Sequence, residues 1–372
     1  MATTVEEITR AFEEWTPNTL AEDWDNVGLQ LGSLKAKVKK LGFALDLTPQ
    51  TLSQAISYGL DCLVTHHPFL FKSIKNICWD SWPGSAIKTL CEKNISLISL
   101  HTNLDAAQEG VSDILAKLLH LKVERAILPS KGAAKYLVSL YVPKGYEEKI
   151  RQILLEEKTS FRGKYYACSF AVEGKGSFFP EEDAKPFVGE SGKLNVVPET
   201  KLEFLVPGYQ LPKIISKIKE IHPYEEVPFD VLPLETRDAK VGLGRVGLLP
   251  LEITLRELAL KVSEVLQSKA VFMVGDPQKL VRKVALCAGA GGELFKRAYD
   301  RGAEVYITAE VKYHQAREAE TLGLSLISCG HFESEIFIVP QMAEFIKSWA
   351  AARDLDLEVF VLKEKSPFLP VF

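Results

Sequence analysis

No stretch of this 372-residue chain approaches the ~18 consecutive apolar residues of a membrane span. The start, MATTVEEITRAFEEW, lacks the basic-then-apolar layout of a secretory leader, so a cytoplasmic protein is expected. No basic excess exists either: 45 Lys and Arg stand against 49 Asp and Glu, a formal net charge of −4. A general affinity for nucleic acid needs a basic face that displaces counterions, and is not expected. The six cysteines, Cys62, Cys78, Cys91, Cys168, Cys287 and Cys329, are scattered without a CxxC pair. Several lie in apolar runs such as LDCLVT and VALCAG, where the thiol acts as a small hydrophobe. A disulfide framework is not expected, and a reducing compartment is the simpler reading. No GxSxG is present, which disfavours a serine hydrolase elbow, and the turn CAGAGG lacks both GxGxxG spacing and the P-loop Lys-Ser/Thr, which disfavours a dinucleotide or Walker site there. There is no low-complexity tract and no internal repeat.

What remains is ordinary globular composition, long enough for two or three domains. Thr4 and Glu7 form a capping box before a helix that places Val5, Ile8, Phe12 and Trp15 on one face. Apolar runs LGFALDL, LDCLVT and ISLISL then alternate with helical segments, which implies parallel βαβ units. After Leu128–Gly132 the order changes to βαββαβ, the ferredoxin-like plan, with strands in YLVSLYVP, YYACSFAVEG, KLEFLVP and VPFDVLPL. The stretch GKGSFFPEEDAKPFVGESGKLNVVPE between the middle strands is too rich in Gly and Pro for regular structure and reads as a long loop or hairpin excursion. From about Val241 the α/β alternation resumes, ending in one long helix over GHFESEIFIVPQMAEFIKSWAAARD and a last strand, LEVFVLKE. The expected architecture is therefore a layered α/β domain split in sequence, residues 1–130 with 238–372. An α+β domain, 131–237, is inserted into it.

Three apolar strands end directly on metal-competent side chains: LVT-His66-His67, ISL-His101-Thr-Asn-Leu-Asp105, and ISCG-His331-Phe-Glu333-Ser-Glu335. Parallel strands open their C-terminal ends on one edge, so three segments would deliver their donors to one rim. A lone histidine in a loop is ordinarily just a polar residue; the convergence carries the argument. His331 and Glu335 lie one helical turn apart on one face. His66 and His67, in a loop past a strand end, can both turn into one cavity, each on one of two ions. Asp105 and Glu335 are the candidate bridging carboxylates. Imidazoles with carboxylates and no thiolate suit Zn, Fe, Mn, Co or Ni, and suit Ca poorly. Two such divalent ions acidify water near neutral pH and stabilise developing negative charge.

Weaker signals are CAGAGG (Cys287–Gly292), placed for either an anion-binding or a merely tight strand-to-helix turn, and Lys312-Tyr313-His314 after EVYIT. Asp25 and Asn26 in WDNVGLQLG could approach the site. HPYEE (His222–Glu226) has no metal spacing and reads as a helix-to-strand turn.

Taken in order, AEDWDNVGLQLG, FALDLTPQTLSQA, LVTHHPFLF, HTNLDAAQEGVSDILA, EVYITAEVKYHQA and GHFESE resemble the GTP cyclohydrolase I type 2 homologue family, also called NGG-interacting-factor-three-like proteins. GSFFP, AKPFVGESGKL and HPYEEVPFDV resemble the longer bacterial members, whose insert is similar to PII and CutA proteins. The resemblance implies two metal ions per subunit held by His66, His67, Asp105, His331 and Glu335. It places His101 beside them as a candidate catalytic proton shuttle, with Glu335 as the other candidate catalytic residue. It further implies a metal-dependent hydrolase acting on a nucleotide-like or phosphorylated small molecule, in a homohexamer built as a trimer of dimers. The alternative is a metal-handling or regulatory assembly in which the PII-like insert senses a ligand. Ala309 stands where the family motif usually has Gly, and Ala288 and Ala290 loosen a GGSG-like turn, leaving the metal ligands intact.

Overall fold

A computed structural model describes residues 3–369. The chain forms two compact units, one running to Ser130 and again from Ala239, the other Lys131–Asp238.

The first unit carries two large sheets. In one, Glu358–Val361, Lys40–Ala44, Cys62–Thr65 and Ser96–Ser99 lie parallel, with Gly28–Leu31 antiparallel at the edge. In the other, Leu280–Cys287, Val305–Thr308 and Ser325–Ser328 are parallel. Antiparallel strands flank them: Phe272–Val274 on one side, Arg245–Thr254 and then Lys122–Arg125 on the other. The expectation of parallel units holds only for the middle of this second sheet. Arg245–Thr254 escaped notice because Pro250 has no N–H for the ladder, and its pairing shifts register between Leu248 and Ile253. Although the chain shows no extended repeat, each sheet ends its parallel run with the same four residues, Ser-Leu-Ile-Ser, at 96–99 and 325–328. Each of these strands is followed within three residues by a histidine, His101 or His331.

The helix Val5–Trp15 starts on the Thr4–Glu7 capping box. It buries Val5, Ile8 and Phe12, and its Phe12 and Trp15 rings meet Phe345 of the helix Ile338–Ala351 at 5.5 and 4.9 Å. One apolar core joins these helices to strand residues of both sheets, including Phe43, Val64, Leu286 and Ile307. The single long helix expected near the C-terminus is two: His331–Glu335, then Ile338–Ala351. The break lets the short helix turn its own face toward the strand ends while the longer one packs in the core.

The second unit is a four-stranded antiparallel sheet in the order Ser169–Phe178, Asn195–Pro207, Ala134–Pro143, Phe229–Arg237. The helices Glu147–Glu156 and Leu211–Ile221 complete the βαββαβ sequence. Much of the stretch read as too irregular for regular structure is in fact strand. Gly174–Phe178 pair in register with Asn195–Glu199, leaving only residues 179–194 as the connecting loop. Both faces of the Ser169–Phe178 strand are largely exposed, so no apolar alternation marked it.

Candidate metal centre

The strand ends of both sheets meet at one cluster, so the donors come from two sheet edges rather than the single rim expected. His66 and His67 prolong the strand Cys62–Thr65: their backbone N–H groups donate to Ala44 and Leu45 O. That pairing holds the two residues in extended sequence, yet both rings enter the same space, 4.9 Å apart. Asp105 sits on the short helix Thr102–Ala106. His331 and Glu335 face inward from their helix, with His331 Nε2 3.1 Å from Glu335 Oε2.

Four imidazoles surround this space, and all four are oriented the same way. His66 Nδ1–H donates to Leu100 O at 2.7 Å. His67 Nδ1 is 2.9 Å from Asp46 Oδ1, His101 Nδ1 is 2.9 Å from Asp25 Oδ1, and His331 Nδ1 is 3.0 Å from Glu310 Oε1. An oxygen holding Nδ1 fixes the tautomer and leaves Nε2 for a metal, the arrangement that recurs behind metal-ligating histidines. Asp46 and Glu310 were missed in the sequence, although each follows an apolar run (FALD, YITAE) as the ligands do.

His66 supplies the fit test. Its side chain is fully buried, and Nε2 has no hydrogen-bond partner. That nitrogen points between Asp105 Oδ1 at 3.8 Å and Glu335 Oε1 at 3.9 Å. A lone pair buried without a partner costs about 1–3 kcal/mol. Donors each ~2.0–2.2 Å from a common ion stand ~3–4 Å from one another. The donor set thus fits a divalent cation. Glu335, only 3% exposed, gives its other oxygen to a second group, 3.0 Å from His67 Nε2 and 3.1 Å from His331 Nε2. Within the cluster, ligand atoms of His66, His67 and Glu335 all lie within 4.8 Å of one another.

Electrostatics in the metal-free protein follow from this packing. Burial pushes the carboxyl of Glu335 up, but hydrogen bonds from His331 and His67 and the adjacent His66 ring prevail and hold it well below the usual range. Burial raises Asp105, with the Glu335 charge adding to it and the imidazoles opposing. For His67, burial favours the neutral ring, but Asp46 and Glu335 outweigh it and raise the imidazole to about 10. The bond to Glu335 raises His331 to about 9. Asp25 is buried, yet His101 and Thr102 bring it down to about 2. Cys287 and Cys329 are pushed up to about 12 by burial, with Glu335 among the charges that add to it, so they remain thiols.

Since both imidazole values exceed the ~6.5 of a free ring, protonated His67 and His331 stabilise the metal-free fold fully below pH ~6.5. That contribution is lost as pH rises through about 9 and then about 10. A metal ion held by the same nitrogens would have to expel those protons. Adding zinc to metal-free protein at pH 7.5 is expected to release about two protons per chain, read with an indicator dye in weak buffer. His67→Ala should release about one.

The CAGAGG turn belongs to the centre as packing. Gly289 has φ +62°, and a Cβ there would lie 2.0 Å from Glu335 Oε1. Its N–H donates to Ser334 Oγ at 3.1 Å. Gly289→Ala is therefore expected to displace Glu335, lowering bound metal and costing about 2–4 kcal/mol in chemical denaturation. Gly323→Ala, at φ +75° with open space around it, should cost only about 1–2 kcal/mol and keep the metal. Lys312, Tyr313 and His314 lie exposed at a helix start, with Lys312 paired to Glu293. Asn26 donates to Leu70 O, whereas Asp25 reaches the centre through His101.

Two α/β sheets that bring imidazoles and carboxylates together at their strand ends define a protein with a candidate metal-binding cluster. The chain belongs to the Duf34/NIF3 (NGG1p interacting factor 3) family, which matches residues 3–367. Among curated relatives, a Bacillus subtilis GTP cyclohydrolase 1 type 2 homolog is 38% identical over 331 residues, 89% of either chain. A Listeria innocua protein of the same name is 37% identical over 356 residues, 92% of this chain and 95% of its own. Among solved structures, a Bacillus cereus protein related to NIF3 superposes over the whole of both chains with a TM-score of 0.87 at 32% identity. No helix among the described residues is long and apolar enough to cross a membrane.

Proposed function

We propose that this protein holds two divalent metal ions through His66, His67, Asp105, His331 and Glu335, and uses them to hydrolyse a nucleotide-like or phosphorylated small molecule. The carrying observation is Glu335, whose two oxygens face two donor groups: His66 with Asp105 on one side, His67 with His331 on the other. Bound divalent ions supply Lewis acidity and acidify water near neutral pH. The chain's own groups do the rest. His101, held by Asp25 and with its ring 5.4 and 5.7 Å from those of His66 and His67, is placed to pass a proton at the cluster's edge. Trp24 and Phe71 pack edge-on 5.7 Å apart, and their rings lie 6.1 and 6.2 Å from His101. Both are substantially exposed, giving a planar base an apolar face beside the cluster.

The name carried by the curated relatives suggests opening of the GTP purine ring. Metal-loaded protein incubated with GTP should then release formate, and His66→Ala should not. Equal release by the variant ends the GTP assignment. Metal analysis of protein purified without chelators is expected to find two ions per chain; at most one in fully loaded protein overturns the dinuclear centre. The assembly proposed is a homohexamer, for which light scattering should give about six times the 41.4 kDa of one chain. The alternative, a regulatory assembly, draws support from a cavity in the second unit.

A further inference from the structure

The unit Lys131–Asp238 carries a half-open pocket of about 440 Å³ lined by none of the residues of the metal cluster. Its walls combine two chemistries. Tyr141, Phe178, Phe187 and Tyr224 supply aromatic faces, and Glu199, Glu225 and Glu226 supply carboxylates. No lysine, arginine or histidine lines it.

The HPYEE turn, which has no metal spacing, builds one wall. Burial lowers the pKa of His222, keeping the ring neutral. Its Nδ1 accepts from the Tyr224 N–H at 3.2 Å while Nε2–H donates to Tyr141 O at 3.0 Å. The Tyr224 ring is thereby fixed, 5.0 Å from the imidazole and 6.2 Å from Phe187. Its hydroxyl donates to Glu199 Oε1 at 2.9 Å. The other oxygen of Glu199 rests over Gly176, where a Cβ would come within 1.9 Å, so only glycine leaves it room. Glu225 accepts the Lys185 N–H at 3.0 Å, tying down the loop that carries Phe187.

Aromatic faces are negative and attract cations, most strongly where water is excluded. Three carboxylates without a basic residue add to that potential, and an anion would be repelled by every charged group present. A bare metal ion would leave the aromatic surface unused. We propose that this cavity binds a small organic cation, an ammonium group carried on an aromatic or aliphatic body, with Glu199 and the Tyr224 and Phe187 faces holding the charged end. Its volume matches sites that enclose molecules of that size.

Titration calorimetry on the full-length protein with tryptamine, its neutral analogue tryptophol and the anion indole-3-acetate tests this. Tryptamine is expected to bind about ten-fold or more tighter than tryptophol, and indole-3-acetate not at all. Glu199→Gln should weaken tryptamine about ten-fold and leave tryptophol unchanged. Glu173→Gln, an exposed carboxylate on the same sheet, should alter neither. Phe187→Ala, at a half-exposed position, should weaken both. The proposal is overturned if tryptamine binds no tighter than tryptophol, if neither binds, or if Glu199→Gln, folded by circular dichroism, binds tryptamine like the parent. It is also overturned if Phe187→Ala changes the oligomeric mass, which would mean that a second copy covers the cavity. Metal content should be the same in all variants, so failure here leaves the metal-centre reading intact.

Discussion

Glu335→Gln is expected to leave the protein with less than about a hundredth of its metal affinity, the largest loss for any single change in the cluster. Outer partners of metal ligands are worth roughly 10–100-fold, and in the proposed centre Glu335 stands inside that shell. One oxygen faces His66 and Asp105 and the other His67 and His331, so both donor groups lose a member together. The amide is close in shape but neutral, and its NH2 turns a donor toward ring nitrogens that a cation needs as acceptors. Asp46→Asn, which touches only the far side of His67, should cost about 10–100-fold, and in the proposed two-ion centre mainly at one ion. Metal per chain by mass spectrometry, with competitive chelator titration for affinity, separates the two. Equal retention of metal by Glu335→Gln and the parent would remove the bridging role.

The largest loss of stability is expected at Arg245, which is not one of the proposed metal ligands. Its side chain is 1% exposed. Nε and Nη2 donate to the two oxygens of Asp113 at 2.5 and 2.6 Å, Nη1 to Gly242 and Gly244 O, and Nη2 also to Ala107 O. Arg245→Met fills the space but strands a carboxylate and three carbonyls, a loss of about 3–5 kcal/mol. Arg10→Met, which removes an exposed pair with Glu6, should change stability by less than about 0.5 kcal/mol. Tryptophan fluorescence during urea unfolding isolates the effect, because Trp15, Trp24, Trp79, Trp82 and Trp349 all lie outside the second unit. A midpoint for Arg245→Met equal to that of Arg10→Met would contradict the account. Arg245 also grips the carbonyl two residues beyond Asp105, so metal affinity should weaken with it.

Much of this was legible before any coordinates. Metal-competent side chains directly after LVT, ISL and ISCG stood out because apolar strands rarely end on such groups by chance, and the structure draws all three segments together. Capping at Thr4–Glu7 and the βαββαβ order were readable because cap chemistry and periodicity are local. What stayed hidden depended on distant partners. Nothing in LSLISC says that its sheet differs from that of ISLISL; that follows from which strands pair. Asp46 and Glu310 look like ordinary acids after a strand until a histidine nitrogen is seen against each. Gly289 reads as a turn residue, since its contact is with a carboxylate 46 positions away. The extended hairpin at Ser169–Phe178 and Asn195–Pro207 lacked a signal because its outer strand buries almost nothing.

The split origin of the donors sets an order of events during synthesis. His66, His67 and Asp105 are made early, but Glu335, which faces both groups, follows Asp105 by 230 residues. A nascent chain can offer two imidazoles and one carboxylate early, yet it cannot close the proposed cage until Glu335 has been made. The second unit is completed before that point. Tight metal capture therefore marks a chain synthesised past Glu335, and one truncated before His331 should leave the ribosome with an open, weakly binding half-site.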